Sequence, residues 1–511
     1  MLQLFRRSKP DHPMADLKEA KRILEEVPVN DAFKAIEELT SWLESVGAAE
    51  GFKPEHRAQL LLLLDESAQV HARKLSRDYL GAIRPSKFQE NRLWLVLFAY
   101  WRQAAMSLAT CIDLYATGAK GGDALKGTMP LLAVRAMRAL AAQLKWQSFR
   151  YGPMDPLLWG ILYKIYSLAE SRKFAKAKVQ VYPGVPGESS AEMEFLKAVM
   201  FSASSSDSLL PLETELMERL VAHYAPGFVL LEKTEGCAYW VDLAGSVAPL
   251  RLIKPPQPLP MLRYFSAGSG LADIEKIQQI IKSTGAVPSA VNLGGAYEPS
   301  TVLDVLEHIA IYWSSSPPER KAPRHQVKSR LVVTHGFDGL MRALEPAGTL
   351  DFDEAAEESW IVQNVSAGGF GAMIPQIKGD WLKIGCLLGL QPEGGKNWVV
   401  GVLRRLSRDK PQQASVGIQT IAKSASIVLL RMPSGQPGGN EASELGILLD
   451  PLSHASSGEA MVLLRSGAWV PGQNLEIDTD GLSLLLMPIG VVERGEDYEL
   501  VRFRQMIRDN E

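Results

Sequence analysis

The chain has 511 residues, 46% of them apolar and 22% charged, which is enough apolar material for several folded cores and too much for a disordered chain. Its formal net charge of −3 argues against a bulk nucleic-acid binder, so any anion site must be local. The three cysteines, Cys111, Cys237 and Cys386, stand far apart with no CxxC pair; they suggest neither a zinc site nor a disulfide framework and fit a reducing cytoplasm.

The opening "MLQLFRRSKPDHP" has no apolar core of signal-peptide length, and a cytoplasmic chain is expected. Residues 1–225 read as helices. In "DAFKAIEELTSWLESVG", Phe33, Ile36, Leu39 and Leu43 recur at helical spacing, with Asp31 placed to cap the start. The apolar run "LWLVLFAYW", Leu93 to Trp101, is fenced by Arg92 and Arg102. It is far shorter than the ~20 residues that a bilayer requires and is expected to be a buried helix. No fixed-period repeat is evident, so this half is expected to be a helical bundle or irregular solenoid that engages a protein partner.

Residues 226–315 read as a small mixed α/β connector. Short strands are expected at "GFVLLEK", "CAYWVDLA" and "PLRLI", then a linker-like "KPPQPLPM", then two helices. From Leu331 the pattern is mostly β, predicting an antiparallel barrel within 316–425 and a second β domain over 426–511. Whether that last domain repeats the barrel is open at this level. The fold class is therefore multidomain α+β.

Motifs of catalysis are lacking. "LGLQPEGGKN" misses a phosphate loop by one position and has Asn397 where Ser or Thr is needed. "GSGLAD" lacks the third glycine of a dinucleotide fingerprint, and neither HExxH nor GxSxG occurs. The eight histidines are scattered; His71, His223 and His308 fall in helices without a partner one turn on. A non-enzymatic protein without a metal or other cofactor is expected.

One stretch does carry chemistry. "ERKAPRHQVKSRLVV" sets five cations between Arg320 and Arg330, with no acid among them, just before an apolar β-branched run. Pro323 disfavours a helix, so Arg320 and Arg324 should lie on one face of an extended arm, about 13 Å apart. Arginine binds phosphate bidentately, matches guanine O6 and N7, and stacks on purines. Downstream, "WIVQNVSAGGFGA" puts Asn364 and Ser366 on one side of a strand end, followed by Gly368, Gly369 and Gly371, which allow close backbone approach.

An RxxxR arm followed by [D/N]xSxxG at a strand end resembles the PilZ family, bacterial receptors for the second messenger cyclic di-GMP. The match is carried by Arg320, Arg324, Asn364, Ser366 and Gly369, and the resemblance spans roughly 316–425. It implies that the arginines hold guanines and phosphates, that Asn364 and Ser366 contact a guanine edge, and that the arm wraps over the ligand and reorients a neighbouring domain. Asn364 departs from the commoner Asp. Forty positions separate Arg324 from Asn364, and the interval includes "DFDEAAEE", five acids in eight residues. Arg404, Arg405 and Arg408 form a second basic cluster. The sequence thus points to a cytoplasmic, non-enzymatic cyclic di-GMP receptor that converts binding into a changed protein–protein interaction through its helical half. The alternative is a scaffold whose degenerate barrel no longer binds the nucleotide. Neither DNA or RNA binding nor a membrane span is expected.

Overall fold

A computed structural model describes residues 10–81, 86–291, 293–316, 323–345, 358–432, 442–450, 458–479 and 482–507. The chain divides into two compact units, Met1–Arg150 with Met154–Pro318, and Tyr151–Pro153 with Glu319–Glu511.

The first unit opens with α1 (Leu17–Glu26), α2 (Ala32–Ala48), α3 (Pro54–Leu80), α4 (Lys87–Ala116), α5 (Met129–Ser148) and α6 (Pro156–Ser171). Side-chain caps start several of them. Asp31 accepts from the Lys34 amide, and Ser86 and Gln89 close a capping box. By length and composition α4 could cross a membrane, but 56% of its most apolar window is buried within the unit, as befits a core helix.

α5 is the spine, packing against α4 and α6 and against α7 (Ala191–Ala203) and α8 (Pro211–Tyr224), with the short strands β1 (Val179–Gln180) and β2 (Glu188–Ser189) between α6 and α7. Three of its cations turn inward, and each meets an acid from another helix. Arg135 lies 3.3 Å from Asp65, Arg138 3.0 Å from Glu194, and Lys145 2.7 Å from Glu215. A buried charge is tolerated only when paired and hydrogen-bonded, so these pairs fix which helix faces which side of α5.

The unit ends with β3 (Val229–Leu231), β4 (Tyr239–Asp242), β5 (Leu250–Arg251), β6 (Leu262–Ser266), α9 (Gly270–Thr284) and α10 (Pro299–Trp313). The four strands form one antiparallel sheet in the order β3-β6-β4-β5. β6 sits inside this sheet, although the sequence pattern shows only a proline-rich linker followed by helices there. This region has no core of its own. Phe265, Val302 and Trp313 belong to the same buried cluster as Leu140 and Phe195, and the Trp313 indole donates to Ser204 Oγ at 2.8 Å.

The second unit holds two closed barrels. The first contains β7 (His325–His335), β8 (Glu358–Ser366), β9 (Gly369–Ile374), β10 (Leu387–Pro392), β11 (Val399–Lys410) and β12 (Gln413–Ala422). The second contains β13 (Ala425–Met432), β14 (Ala442–Leu449), β15 (Glu459–Arg465), β16 (Leu475–Thr479), β17 (Leu482–Arg494) and β18 (Tyr498–Ile507). Their ring orders are β10-β11-β12-β9-β8-β7 and β13-β14-β15-β18-β17-β16. With each barrel's strands counted one to six along the chain, both rings read one-two-three-six-five-four. The C-terminal domain therefore repeats the connectivity of the first barrel, which answers the question left open by the sequence. Only Lys423 and Ser424 join the two, so the second barrel has no arm ahead of its first strand.

Each barrel has its own interior, Trp360, Val362, Leu390 and Leu403 in the first and Leu430, Val462, Ile477 and Phe503 in the second. A further apolar cluster joins them. The helix α11 (Gly336–Leu344) contributes Phe337 and Leu340, which pack with Val400 and Val402 of the first barrel and Ile447, Leu463 and Leu500 of the second. Polar ties reinforce the joint. Arg404 Nη1 donates to Glu493 at 2.8 Å, the Phe337 amide donates to Asp497 at 2.6 Å, and Arg465 donates to Asp338 at 2.6 Å.

Candidate ligand-binding face of the first barrel

Strand alternation alone would keep Asn364 and Ser366 on the inward side with Trp360 and Val362. A register shift prevents this. β8 pairs Val362 with Ala372 but Asn364 with Gly371, so one extra residue bulges out between them. Beyond the bulge Val365 packs against the core, and Asn364 and Ser366 turn outward.

On β9 the outward positions are Gly369 and Gly371, since Ala372 and Ile374 face the core. A Cβ at Gly371 would lie 2.7 Å from the Asn364 amide, which therefore rests directly over that glycine. Gly369 has φ +153, and a Cβ there would lie 1.9 Å from the Ile418 carbonyl oxygen. Only glycine brings this turn so close to β12, where the Thr420 amide donates to the Gly368 carbonyl at 3.0 Å. The Ser366 hydroxyl donates to the Gly369 carbonyl at 3.4 Å. Gly369→Ala is expected to destabilise the barrel by about 1–3 kcal/mol, the strain of a glycine-only conformation. Gly368→Ala, which meets only open space, should be nearly neutral. Thermal melts of the two variants check this; equal melting temperatures would remove the close approach from the account.

β7 enters beside this turn. His325 pairs with Val365 and Gln326 with Asn364. Continued by one residue, that antiparallel register sets Arg324 beside Ser366. Arg324 is exposed and free of helix, as the extended reading of the arm requires. Arg320 lies outside the described residues, so of the five positions the structure gathers Asn364, Ser366 and Gly369 at one turn, with Arg324 one residue ahead of the paired His325.

Of the acidic interval only Glu358 falls within the described residues, and it lies at the other pole. It pairs in register with Val333, eight residues along β7 from His325 and thus about 26 Å away. Glu358 is buried and accepts from the indoles of Trp360 at 2.9 Å and Trp381 at 3.2 Å. Asp351, Asp353, Glu354 and Glu357 lie outside the described residues. At this pole His335 stacks flat on Trp381, with centroids 4.0 Å apart. Burial holds the His335 ring below its ordinary value of 6.5, against the pull of Glu358 and Asp497. The unfolded chain then takes up the proton more readily, so this contribution to stability is complete above pH 6.5 and is lost as the pH falls below it. Denaturation of wild type and His335→Gln above and below that pH should show a smaller pH-induced loss in the variant. An equal loss in both would contradict the assignment.

The second basic cluster separates into different roles. Arg404 donates to Gln419 at 2.7 Å and to Glu493, and so ties the two barrels together. Arg408 registers with the core residue Ala414. Arg405 registers with Gly417, an outward position next to Gly371, a relation that sequence spacing does not reveal. The only hint of it is the isolated glycine within the strand "SVGIQTI".

Residues 353–426 match the model of the middle PilZ domain of the cyclic-di-GMP receptor FimW, and residues 18–234 match that of the N-terminal domain of the same receptor. The chain belongs to this receptor family. Together the FimW spans cover more than half of the chain. The PilZ span includes Asn364, Ser366 and Gly369, whereas Arg320 and Arg324 precede it and the second barrel follows it. Among curated proteins no match was found. Among the described residues no group of three or more His, Cys, Asp or Glu side chains could hold a metal ion.

Proposed function

We propose that this chain is a non-enzymatic receptor for cyclic di-GMP in the bacterial cytoplasm, binding the dinucleotide on the outer face of the first barrel through Arg320, Arg324, Asn364, Ser366 and Gly369. The observation that carries this reading is the bulge in β8, which turns Asn364 and Ser366 outward over a glycine floor beside Arg324. The chemistry suits the ligand. Its phosphates need cations, its guanines need planar stacking partners, and their edges need compact donors and acceptors. Asn364 offers both a donor and an acceptor to a guanine edge without the charge of the more usual Asp.

The arm is the stretch of sequence between the last helix of the first unit and the first strand of the second. Ligand binding would engage it and thereby alter how the helical unit meets a protein partner. The size of that effect is limited by the ligand's differential affinity for the two arrangements. The rival reading, a scaffold whose barrel has lost the ligand, is favoured by Asn364 and by the acidic insert "DFDEAAEE".

Calorimetric titration of the full chain separates the two. The receptor reading expects heat and a raised melting temperature with cyclic di-GMP but not with GMP. Absence of both at saturating dinucleotide would establish the rival. Amide exchange over α1 to α10 with and without ligand tests the output. If those helices are unchanged, the reading shrinks to binding alone.

A further inference from the structure

α4 buries Val96, Leu97, Tyr100, Ala104 and Leu108 in the core of the first unit, yet its far side is apolar too. At about 100° per residue, Phe88, Arg92, Leu95, Ala99, Arg102 and Met106 lie within about 40° of one line along the helix. Phe88 is 74% exposed, Leu95 53% and Met106 45%, and Ala99 is exposed between them. Apolar residues scattered singly over a surface need no explanation, but these form one stripe about 27 Å long. Beside its start is a cavity of about 390 Å³ with Phe33 of α2 and Leu93 among its walls.

Charge decides what fits this face. The two charged residues of the stripe, Arg92 and Arg102, are both cations. The Arg92 guanidinium lies over the Phe33 ring, 4.1 Å from its centroid, a contact that leaves its charge unneutralised. Among the described residues no carboxylate pairs with either arginine, although α2 packs alongside and exposes Glu37 and Glu44. A second copy of the chain is a poor occupant. The antiparallel pairing that sets Phe88 on Met106 and Leu95 on Ala99 also sets Arg92 on Arg102, and a parallel pairing sets each arginine on itself. Like charges brought together in this way oppose association.

We propose that this face of α4 is a docking surface for an amphipathic helix of another protein, one whose apolar seam is flanked by carboxylates. The seam covers Phe88, Leu95 and Met106, and the carboxylates meet Arg92 and Arg102, which stand about 15 Å apart along the axis. Ala99, small and at mid-length, lets the two axes approach closely. At the α2 end an apolar side chain of the partner enters the cavity against Phe33 and Leu93, the kind of anchor that carries most of the energy of an interface. The proposal rests on the reading that the helical unit engages a protein and not on the ligand of the first barrel.

Fluorescence anisotropy with two labelled synthetic helices, titrated with the full chain in the absence of cyclic di-GMP, tests this separately from the receptor reading. Both peptides carry the same leucine seam over three heptads; one has Glu at the flanking positions and the other Lys. Wild type should bind the Glu peptide at least tenfold more tightly than the Lys peptide. Leu95→Asp should weaken binding of the Glu peptide at least tenfold, and the double variant Arg92→Glu with Arg102→Glu should invert the preference. All three positions are exposed, and thermal melts confirm that the variants fold; if Leu95→Asp does not, the charge reversal decides alone. No binding of the Glu peptide, equal binding of the two peptides, or a preference that survives the charge reversal would overturn the proposal. So would a wild type that dimerises in sedimentation equilibrium while Leu95→Asp stays monomeric, because the occupant would then be a second copy.

Discussion

Arg324→Ala is expected to lower the affinity for cyclic di-GMP by about 10- to 100-fold, the loss of one bidentate guanidinium contact worth about 1–3 kcal/mol. The unliganded variant should melt with the wild type, because Arg324 is exposed and lies ahead of β7 rather than in the core. Arg324→Lys distinguishes charge from geometry. Lysine restores the charge but not the fork, so its affinity should fall between the two. Calorimetry on the three proteins measures this. Wild-type affinity in Arg324→Ala would show that the register beside Ser366 has no part in recognition.

The largest expected effect on stability lies in the helical unit. Arg135 is almost wholly buried, donates to the Val181 carbonyl at 2.8 Å and the Leu62 carbonyl at 2.7 Å, and lies against Asp65. Burial raises the Asp65 carboxyl above its ordinary range even with Arg135 beside it and with Tyr100 and Gln69 donating to it. Arg135→Met strips the cation from a buried carboxylate and should destabilise the unit by about 3–5 kcal/mol. A carboxyl raised in the folded state loses stability as the pH rises through its folded value. The deficit of Arg135→Met should therefore shrink as the pH falls and Asp65 becomes neutral. Adding Asp65→Asn should recover part of the loss at neutral pH. Denaturant melts of the two single variants and the double variant decide the matter. A double variant that loses the sum of the two singles would show that the pair is not coupled.

What the sequence revealed was local. The helices of the first unit follow from apolar spacing and caps such as Asp31, and RxxxR and NxSxxG are short patterns readable without a fold. What escaped it was long-range. β6 goes unread between the proline-rich linker and the helices because its only credential is a place between β3 and β4. α11 hides within a β-rich region because its nine residues are held by two barrel surfaces. The bulge between Val362 and Asn364 decides whether the polar pair faces core or solvent, and it exists only in the register with β9. The row from Asn364 to Arg405 brings together residues 41 positions apart through two intervening strands. The equivalence of the two barrels is likewise a property of pairing order, because the second has neither an arm ahead of its first strand nor a [D/N]xSxxG motif in its sequence to mark it.

Amide hydrogen exchange on the full chain, with and without saturating cyclic di-GMP, tests the central claim most directly. The account predicts slowed exchange from Arg320 to Gln326 and from Asn364 to Phe370, with β13 to β18 unchanged. Exchange slowed only in the second barrel or the helices, or nowhere, would contradict it.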